Sequence, residues 1–335
     1  MQAIIPVAGA GTRLRPLTYT QPKVLIAVAG KPILSFIIEN LIENGVTDFV
    51  FVIGYLGEKI KEYVEQNYPH IHARFVTQQE RLGLGHAIWM AKEDIDINQP
   101  LVIQLGDTIL DADIKNIITS HHSTLCIKRV EDPRAFGVAE IDDEGFIKNL
   151  VEKPMIPKSN MALVGFYFIK ETKQLFESLA YNIENNLRTN NEFYLTNSLQ
   201  RMIGEGVKLK SHKVEHWFDV GKKEILLETN SLLLRKNGDQ CCEGTIQDNT
   251  IFISPYHISK GVKIHNSVIG PYVTIGENSE VSNSLIKNSV IGSFSKVENV
   301  ALHNSLIGSD TTIRGNSQSL NIGDNTEIDL RGDRH

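Results

Sequence analysis

The sequence predicts an α/β domain with a mostly parallel sheet, followed by a coil of short parallel strands. Three observations support this prediction. Short apolar runs alternate with helical patterns up to about residue 235. The first apolar run leads directly into a glycine-rich loop. After Gly244 aromatic residues become rare and a short repeat appears.

The alternation of apolar runs and helical patterns defines the first segment. Predicted strands are Ala3–Val7, Phe49–Ile53, Arg74–Thr77 and Leu101–Leu105, and predicted helices begin near Ile33, Ile60 and His86. Because strands that alternate with helices form parallel sheets covered on both faces, we expect ligands to bind beyond the carboxyl ends of these strands.

The repeat defines the second segment. Asn-Ser-Val-Ile-Gly at 266–270 recurs at 288–292, and Asn-Ser-Leu-Ile-Gly follows at 304–308. Aliphatic residues stand six apart within the repeats, as at Ile269 and Ile275 and again at Ile322 and Ile328. This period indicates a parallel β-helix in which each short strand buries one aliphatic side chain, with a β-sandwich of many turns as the alternative. The boundary is expected at 236–244.

Length and composition restrict the class of protein. The chain has 335 residues, a net charge of −6 and three cysteines, two of them adjacent. We therefore expect about two domains, no disulfide framework and no nucleic-acid partner. The N-terminus lacks a basic start and an apolar core, and no apolar run approaches the roughly 20 residues of a membrane span, so a cytoplasmic protein without membrane association is expected.

The loop after the first strand has the chemistry of a phosphate site. Gly9 and Gly11 allow the backbone to approach a ligand and present N–H groups, and Arg13, Arg15 and Lys23 bring three cations to one short stretch. The alternative is an ordinary glycine turn with solvated basic residues. Two known phosphate loops are excluded, because Leu14 stands where a dinucleotide fingerprint needs glycine and no Gly-Lys-Ser/Thr string occurs.

Two aspartates are candidate metal ligands. Asp107 follows the apolar strand 101–105, and Asp219 lies in the string Trp-Phe-Asp-Val-Gly at 217–221. Two carboxylates that are distant in sequence could hold one Mg²⁺ beside a triphosphate. Aspartates are also common as turn or cap residues, so this alternative stays open.

The string Gly-Ala-Gly-Thr-Arg-Leu-Arg-Pro-Leu-Thr at 9–18, followed by Pro22 and Lys23, resembles the signature of the sugar-1-phosphate nucleotidylyltransferases. Further family strings follow in order along the chain. The resemblance implies a Rossmann-like (GT-A-like) nucleotidyltransferase catalytic domain over 1–238. It also implies a C-terminal left-handed parallel β-helix of hexapeptide repeats over 245–335, and coils of this kind often associate into homo-oligomers.

The resemblance also implies roles for individual residues and two substrates, a nucleoside triphosphate and a sugar 1-phosphate, with Mg²⁺ as cofactor. The implied nucleotide contacts are Ala8, Gly9, Ala10, Gly11, Thr12, Arg13, Gln78, Gly83 and Asp107. The implied sugar-phosphate contacts are Gly137, Glu152, Lys153 and Leu163, the implied metal ligands are Asp107 and Asp219, and the implied catalytic cations are Arg13 and Lys23. In isolation, Glu152 and Lys153 would rather be a surface charge pair.

Strings such as Asp-Pro-Arg-Ala-Phe-Gly-Val-Ala at 132–139 resemble those of the long form of glucose-1-phosphate thymidylyltransferase, and this resemblance implies dTTP and glucose 1-phosphate as substrates. In the segment that resembles the sugar-phosphate anchor, the chain departs from the family pattern at Asn190, Tyr194 and Asn197, and it departs separately at Thr108, which follows Asp107. Three alternatives stay open: a UTP- or GTP-specific enzyme, a regulatory homologue without catalysis, and acyl transfer by the coil.

Overall fold

A computed structural model of the chain describes residues 1–315. The chain forms two compact units, one spanning Met1–Asn237 and the other beginning at Gly238. The predicted aliphatic positions Ile322 and Ile328 lie outside the described residues. The predicted domains, a catalytic domain over 1–238 and a β-helix domain over 245–335, stay predictions.

The first unit is organised around a mixed sheet, which has nine strands among the residues described. In chain order they are β1 (Gln2–Pro6), β2 (Asp48–Ile53), β3 (His72–Thr77), β4 (Leu101–Gln104), β5 (Ser123–Arg129), β6 (Gly137–Ile141), β7 (Ile147–Glu152), β8 (Met161–Ile169) and β9 (Leu209–Lys213). The spatial order is β7-β6-β8-β4-β1-β2-β3, and β5 pairs with both β8 and β9.

Helices cover this sheet. They are α1 (Ile33–Glu43), α2 (Gly57–Asn67), α3 (Leu84–Met90), α4 (Ile114–Ile118), α5 (Thr172–Glu184), α6 (Leu195–Gly204) and α7 (Lys223–Asn237). The predicted helices near 33, 60 and 86 are confirmed by α1, α2 and α3. Each buries aliphatic side chains, such as Ile38, Ile60 and Ile88, that are fully shielded from solvent.

The predicted parallel order is confirmed for the first four strands. β1 pairs in parallel with β4 and β2, and β2 pairs in parallel with β3. Beyond these strands the sheet is mixed, because β8 runs antiparallel to β4, β5 and β6, and β6 and β7 form an antiparallel pair, whereas β9 pairs in parallel with β5. The carboxyl ends of β1, β2, β3 and β4 therefore meet at one edge, where ligands of such sheets bind.

Two short strands lie outside the main sheet. Thr108–Asp111 pairs antiparallel with His216–Asp219, and this pair is called the ribbon below. Ala27–Val28 pairs antiparallel with Lys31–Pro32 just before α1.

The second unit is a left-handed parallel β-helix, as predicted. Its strands stack in three parallel sheets. One contains Gln240–Cys241, Tyr256–Ile258, Val273–Ile275, Ser289–Ile291 and Leu306–Ile307; the next contains Ile246–Asp248, Lys263–His265, Glu280–Ser282, Lys296–Glu298 and Thr312–Arg314; the last contains Ile251–Phe252, Val268–Ile269, Leu285–Lys287 and Ala301–His303. The first strand, at 240–241, already pairs with 257–258.

Stacked aliphatic side chains form the core of the coil. Ile258, Ile275 and Ile291 align in register and are at most 1% exposed. Asparagines with positive φ, such as Asn283 and Asn299, occupy the turns and donate to one another along the stack. Asparagine is among the few non-glycine residues that adopt this conformation readily, which explains its repetition in the sequence.

Within residues 1–315, no helix is long and apolar enough to cross a membrane.

Candidate active site

The glycine loop lies at the carboxyl end of β1. Gly11 has a φ of 61°, and a Cβ at this position would lie 2.9 Å from Thr18 Cγ2 and 3.0 Å from Lys23 Cβ. Thr18 Oγ1 donates to the carbonyl of Gly11 at 2.8 Å. Glycine is therefore required here because the loop folds back tightly, and this fold brings Lys23 against the loop.

A cavity of about 410 Å³ opens at this edge of the sheet. It is lined by loop residues that the sequence singled out, together with residues that follow β3 and β4. The predicted residues in its wall are Ala8, Gly9, Gly11, Thr12, Arg13, Lys23, Gln78, Gly83 and Asp107. Ala10 belongs to the loop but does not line the cavity wall.

The ribbon brings the two predicted carboxylates together. Its register pairs Thr108 with Asp219, and the backbone N–H of Val220 donates to the carbonyl of Asp107 at 3.0 Å. Asp107 follows β4 through Gly106, where a Cβ would lie 2.3 Å from Val7 Cγ1. The strand end is packed too closely for any side chain at 106, so the position of Asp107 is fixed.

Lys23 lies between these carboxylates. Its Nζ donates to Asp107 Oδ2 at 2.6 Å and lies 3.8 Å from Asp219 Oδ1, and the lysine side chain is only 9% exposed. Burial raises the pKa of the Asp219 carboxyl, and the neighbouring charge of Asp107 raises it further, while Lys23 and Arg13 lower it. Two partly buried anions therefore compete for positive charge at this point.

Arg13 and Arg15 have different positions although both come from the same loop. Arg13 lines the cavity, and its Nη2 lies 3.0 Å from the place where Gly221 would carry a Cβ. Arg15 instead lies over the ring of Tyr19, with Cζ 4.9 Å from the ring centroid, and lines neither this cavity nor the second cavity described below. Of the two loop arginines, only Arg13 faces the site.

A second cavity of about 250 Å³ contains most of the predicted sugar-phosphate residues. Gly137, Glu152 and Leu163 line it. On one edge of β8, β6 pairs with Met161 and Ala162 and β4 pairs with 166–169, so 163–165 lie outside both pairings. On its other edge, β8 pairs with β5 and shifts register between Leu163 and Tyr167.

Glu152 is a partly buried carboxylate in the wall of this cavity. Thr196 Oγ1 donates to Glu152 Oε2 at 2.6 Å, and burial raises the pKa of the Glu152 carboxyl despite this hydrogen bond. A Cβ at Gly137 would lie 3.1 Å from the same oxygen. The carboxylate is therefore held in place and accepts hydrogen bonds in a confined space.

The two cavities share part of their walls. Arg13, Asp107 and Glu192 line both of them, together with Leu84 and Leu105. Asp219 lines the second cavity, and Lys23 lines the first. Two ligands, one in each cavity, would therefore lie next to each other beside the Asp107 and Asp219 carboxylates and the cations of Arg13 and Lys23.

Lys153 does not line either cavity. It has a φ of 43°, and its Nζ donates to Tyr194 Oη at 3.1 Å, while Tyr194 itself lines the second cavity. Tyr194 stands where the family often has an acidic residue, and the structure shows that the tyrosine engages this lysine. The predicted contact between Lys153 and a sugar phosphate stays a prediction.

Several residues of the site were not among the predicted contacts. Glu192, Thr196 and Trp217 line the second cavity, and Arg81 lines the first. Trp217 belongs to the string at 217–221 given above, and Glu192 and Thr196 lie beside Tyr194 and Asn197, where the chain departs from the family pattern. The string alone did not say which side chain faces inward, because that depends on α6 and on the ribbon.

The acidic pair matches the ligand chemistry of Mg²⁺. This ion prefers oxygen ligands, and proteins commonly supply one or two carboxylates while substrate phosphates and water complete the shell. Asp107 and Asp219 supply two such groups next to the phosphate loop. In residues 1–315 no group of three or more His, Cys, Asp or Glu side chains could hold a metal ion.

The chain is similar to known proteins over most of its length. Residues 2–236 match the family model described as "Nucleotidyl transferase". The nucleotidyltransferase Agl11 of low-salt glycan biosynthesis in Haloferax volcanii is 31% identical over 87% of this chain and 87% of its own. A glucose-1-phosphate thymidylyltransferase of Streptomyces antibioticus is 29% identical over 99% of this chain and its whole length.

A solved structure of a UDP-glucose pyrophosphorylase complexed with UDP-glucose is also similar. It has a TM-score of 0.61 and 25% sequence identity, covering 70% of this chain and 98% of the other.

Proposed function

Since the chain belongs to the nucleotidyl transferase family, we propose that it joins a nucleoside triphosphate to a sugar 1-phosphate and releases pyrophosphate. The observation that carries this proposal is the meeting of two cavities at Arg13 and Asp107. The first has the glycine loop suited to a triphosphate, and the second has the confined carboxylate of Glu152 suited to sugar hydroxyls.

The proposed reaction is an in-line displacement at the α-phosphorus. An oxygen of the sugar phosphate forms a bond to this phosphorus, and the bond to the β-phosphate bridging oxygen breaks. The attacking oxygen is already anionic, so no side chain has to remove a proton. Positioning and charge stabilisation then supply most of the catalysis.

The cations of the site have separate roles in this proposal. Arg13 offers a planar fork of donors to the β- and γ-phosphates as negative charge develops on the leaving pyrophosphate. Lys23 offers a compact charge between the α-phosphate and the incoming sugar phosphate. Its low exposure and its contact with Asp107 limit its movement, which reduces the reorganisation needed during the reaction.

Asp107 and Asp219 would hold the divalent cation. When bound, Mg²⁺ would draw charge from the phosphate oxygens and keep the triphosphate in one conformation. The two carboxylates would in turn exchange part of their interaction with Lys23 for the metal, leaving the ammonium available to phosphate.

We propose dTTP and glucose 1-phosphate as the substrates. Support comes from the relative in S. antibioticus, which is named a glucose-1-phosphate thymidylyltransferase and aligns over nearly the whole chain. UTP is the main competing nucleotide, since thymine and uracil differ by one methyl group, worth only about 1–3 kcal/mol of discrimination.

A pyrophosphate-release assay tests the function and the substrates together. The purified chain is incubated with Mg²⁺, each of dTTP, UTP, GTP, CTP and ATP, and a panel of sugar 1-phosphates. We expect the highest kcat/KM with dTTP and glucose 1-phosphate. Release of pyrophosphate only with another pair would correct the substrate, and no release with any pair would contradict the function.

A homo-oligomer is also part of the proposal, because parallel β-helices commonly associate through their flat faces. Light scattering on the full-length chain should give a mass that is a multiple of 37.5 kDa. A mass of one chain at all concentrations would contradict this expectation.

A further inference from the structure

The side-chain amide of Gln78 has only one orientation that agrees with its surroundings. Gln78 lines the first cavity and is 7% exposed, and its Nε2 lies 3.2 Å from the carbonyl oxygen of Gly83. A carbonyl accepts and cannot donate, so the atom facing it must be the amide nitrogen. The same Nε2 lies 3.2 Å from His86 Nδ1.

Both hydrogens of the Gln78 amide are used when His86 Nδ1 accepts. This requires an imidazole that carries its proton on Nε2. The imidazole of His86 packs against two aromatic side chains. Its centroid lies 6.1 Å from the ring centroid of Trp89 and 6.4 Å from that of Phe193.

The charge state of the imidazole agrees with this role. Burial lowers the pKa of His86 below its ordinary value of 6.5, and Arg188 lowers it further, while Glu80 raises it. His86 is therefore neutral at neutral pH, and a neutral imidazole has one nitrogen that accepts.

With Nε2 committed, Oε1 is the end of Gln78 that remains for a ligand. Within residues 1–315 no hydrogen bond reaches Gln78 Oε1. The atom is not fully buried either, so a ligand can reach it. Gln78 therefore presents an acceptor to the cavity. Thymine and uracil carry an N3–H donor on their pairing edge, whereas cytosine has an unprotonated N3 acceptor there.

We propose that His86, which does not line the cavity itself, fixes the orientation of the Gln78 amide and thereby selects thymine or uracil over cytosine. His86 is a positioning residue in this proposal, acting through Gln78. The inference rests on the proposed function, because it assumes that the first cavity takes the base of a nucleoside triphosphate.

The test compares His86→Phe with His86→Asn by measuring kcat/KM for dTTP, UTP and CTP. Phenylalanine keeps a ring against Phe193 but removes the acceptor, so the amide is free to turn its NH₂ toward the base. We expect the preference for dTTP over CTP to fall about tenfold, the order expected for one mispaired hydrogen bond. Asparagine can place an amide oxygen near the position of Nδ1 and should restore most of the preference.

Trp89→Phe is the matched control. It alters the packing of the same imidazole without changing the hydrogen bond to Gln78. A merely structural role of His86 would lower kcat/KM for all three nucleotides by similar factors and leave their ratio unchanged. An unchanged ratio in His86→Phe would overturn the proposal.

The pH dependence provides a second readout. Protonation of His86 converts Nδ1 into a donor, so in the wild type the dTTP preference should fall as the pH decreases below the ordinary histidine range. In His86→Asn the contribution of the imidazole is absent, and any remaining change reports the nucleotide and the other titrating groups of the site. An equal pH dependence in both proteins would contradict the inference.

These outcomes are separate from failure of the proposed function. A wild-type chain that releases pyrophosphate from none of the nucleotides contradicts the function. An active wild type whose His86→Phe variant keeps its base preference contradicts only the role of His86.

Discussion

Replacing Arg13 or Arg15 by alanine makes a matched pair of perturbations. Both residues are exposed, carry the same charge and lie two positions apart in one loop. Arg13 lines both cavities, whereas Arg15 lies over the ring of Tyr19. The two substitutions remove the same charge from the protein but only one removes it from the site.

We expect Arg13→Ala to lower kcat by about 10²–10³-fold, since loss of one donor aimed at developing charge costs about 2.7–4 kcal/mol. Arg15→Ala should lose only a cation–π contact at an exposed site, worth about 0.5–1 kcal/mol, and should change kcat by less than about threefold. Surface substitutions of this kind usually shift stability by no more than about 0.5 kcal/mol, so both variants should fold.

The assay is pyrophosphate release at saturating Mg²⁺ and both substrates, with thermal melting as a check on folding. Arg13→Lys keeps the charge but loses the planar fork, and should recover only part of the rate. Equal losses in the two alanine variants, or wild-type turnover in a folded Arg13→Ala, would show that Arg13 does not contact the phosphates of the nucleoside triphosphate as inferred.

Three further outcomes are expected. Because burial raises the pKa of Glu152, its carboxylate should protonate at a higher pH than an ordinary glutamate, and KM for the sugar phosphate should rise as the pH falls. Glu152→Gln should have a raised KM without the part of the pH dependence that comes from this carboxylate. Gly106→Ala forces a Cβ to 2.3 Å from a buried valine methyl and should cost about 1–3 kcal/mol by urea denaturation, whereas Gly204→Ala, with no atom within 4 Å, should be close to neutral. Asp219→Asn should raise the Mg²⁺ concentration required for half-maximal rate, and an unchanged Mg²⁺ titration would exclude this residue as a ligand.

Local patterns in the sequence predicted much of the fold. The alternation of apolar runs predicted the parallel strands, because such strands are buried on both faces. The six-residue period predicted the coil, because successive strands around one turn each bury one aliphatic side chain, as Ile269 and Ile275 do. Residues one full turn apart, such as Ile275 and Ile291, then align in register. The glycine and cation pattern predicted the loop that lines the first cavity.

Non-local pairings were beyond what those patterns could predict. The antiparallel pairing of β8 with β4, β5 and β6 and the register shift at 163–167 depend on contacts between distant strands. The ribbon that brings Asp219 to Asp107 joins segments about a hundred residues apart, and no local signal in either predicts it. The two aspartates were found through a family resemblance, whereas their proximity follows from the ribbon.

Side-chain direction was also beyond the sequence. Arg13 and Arg15 look equivalent in the string, yet they point to different places. The contact of Lys153 with a phosphate stays a prediction, and the structure adds a hydrogen bond from its Nζ to Tyr194 Oη that the sequence did not predict. The direction of each of these side chains depends on the residues that pack around it in the folded chain.

A crystal structure with Mg²⁺ and a non-hydrolysable dTTP analogue tests the central claim most directly. We predict that the ion is bound by carboxylate oxygens of both Asp107 and Asp219 at about 2.0–2.1 Å, with the triphosphate on the loop 8–13 and in contact with Arg13. A cation bound away from either aspartate, or a triphosphate that does not touch this loop, would contradict the account.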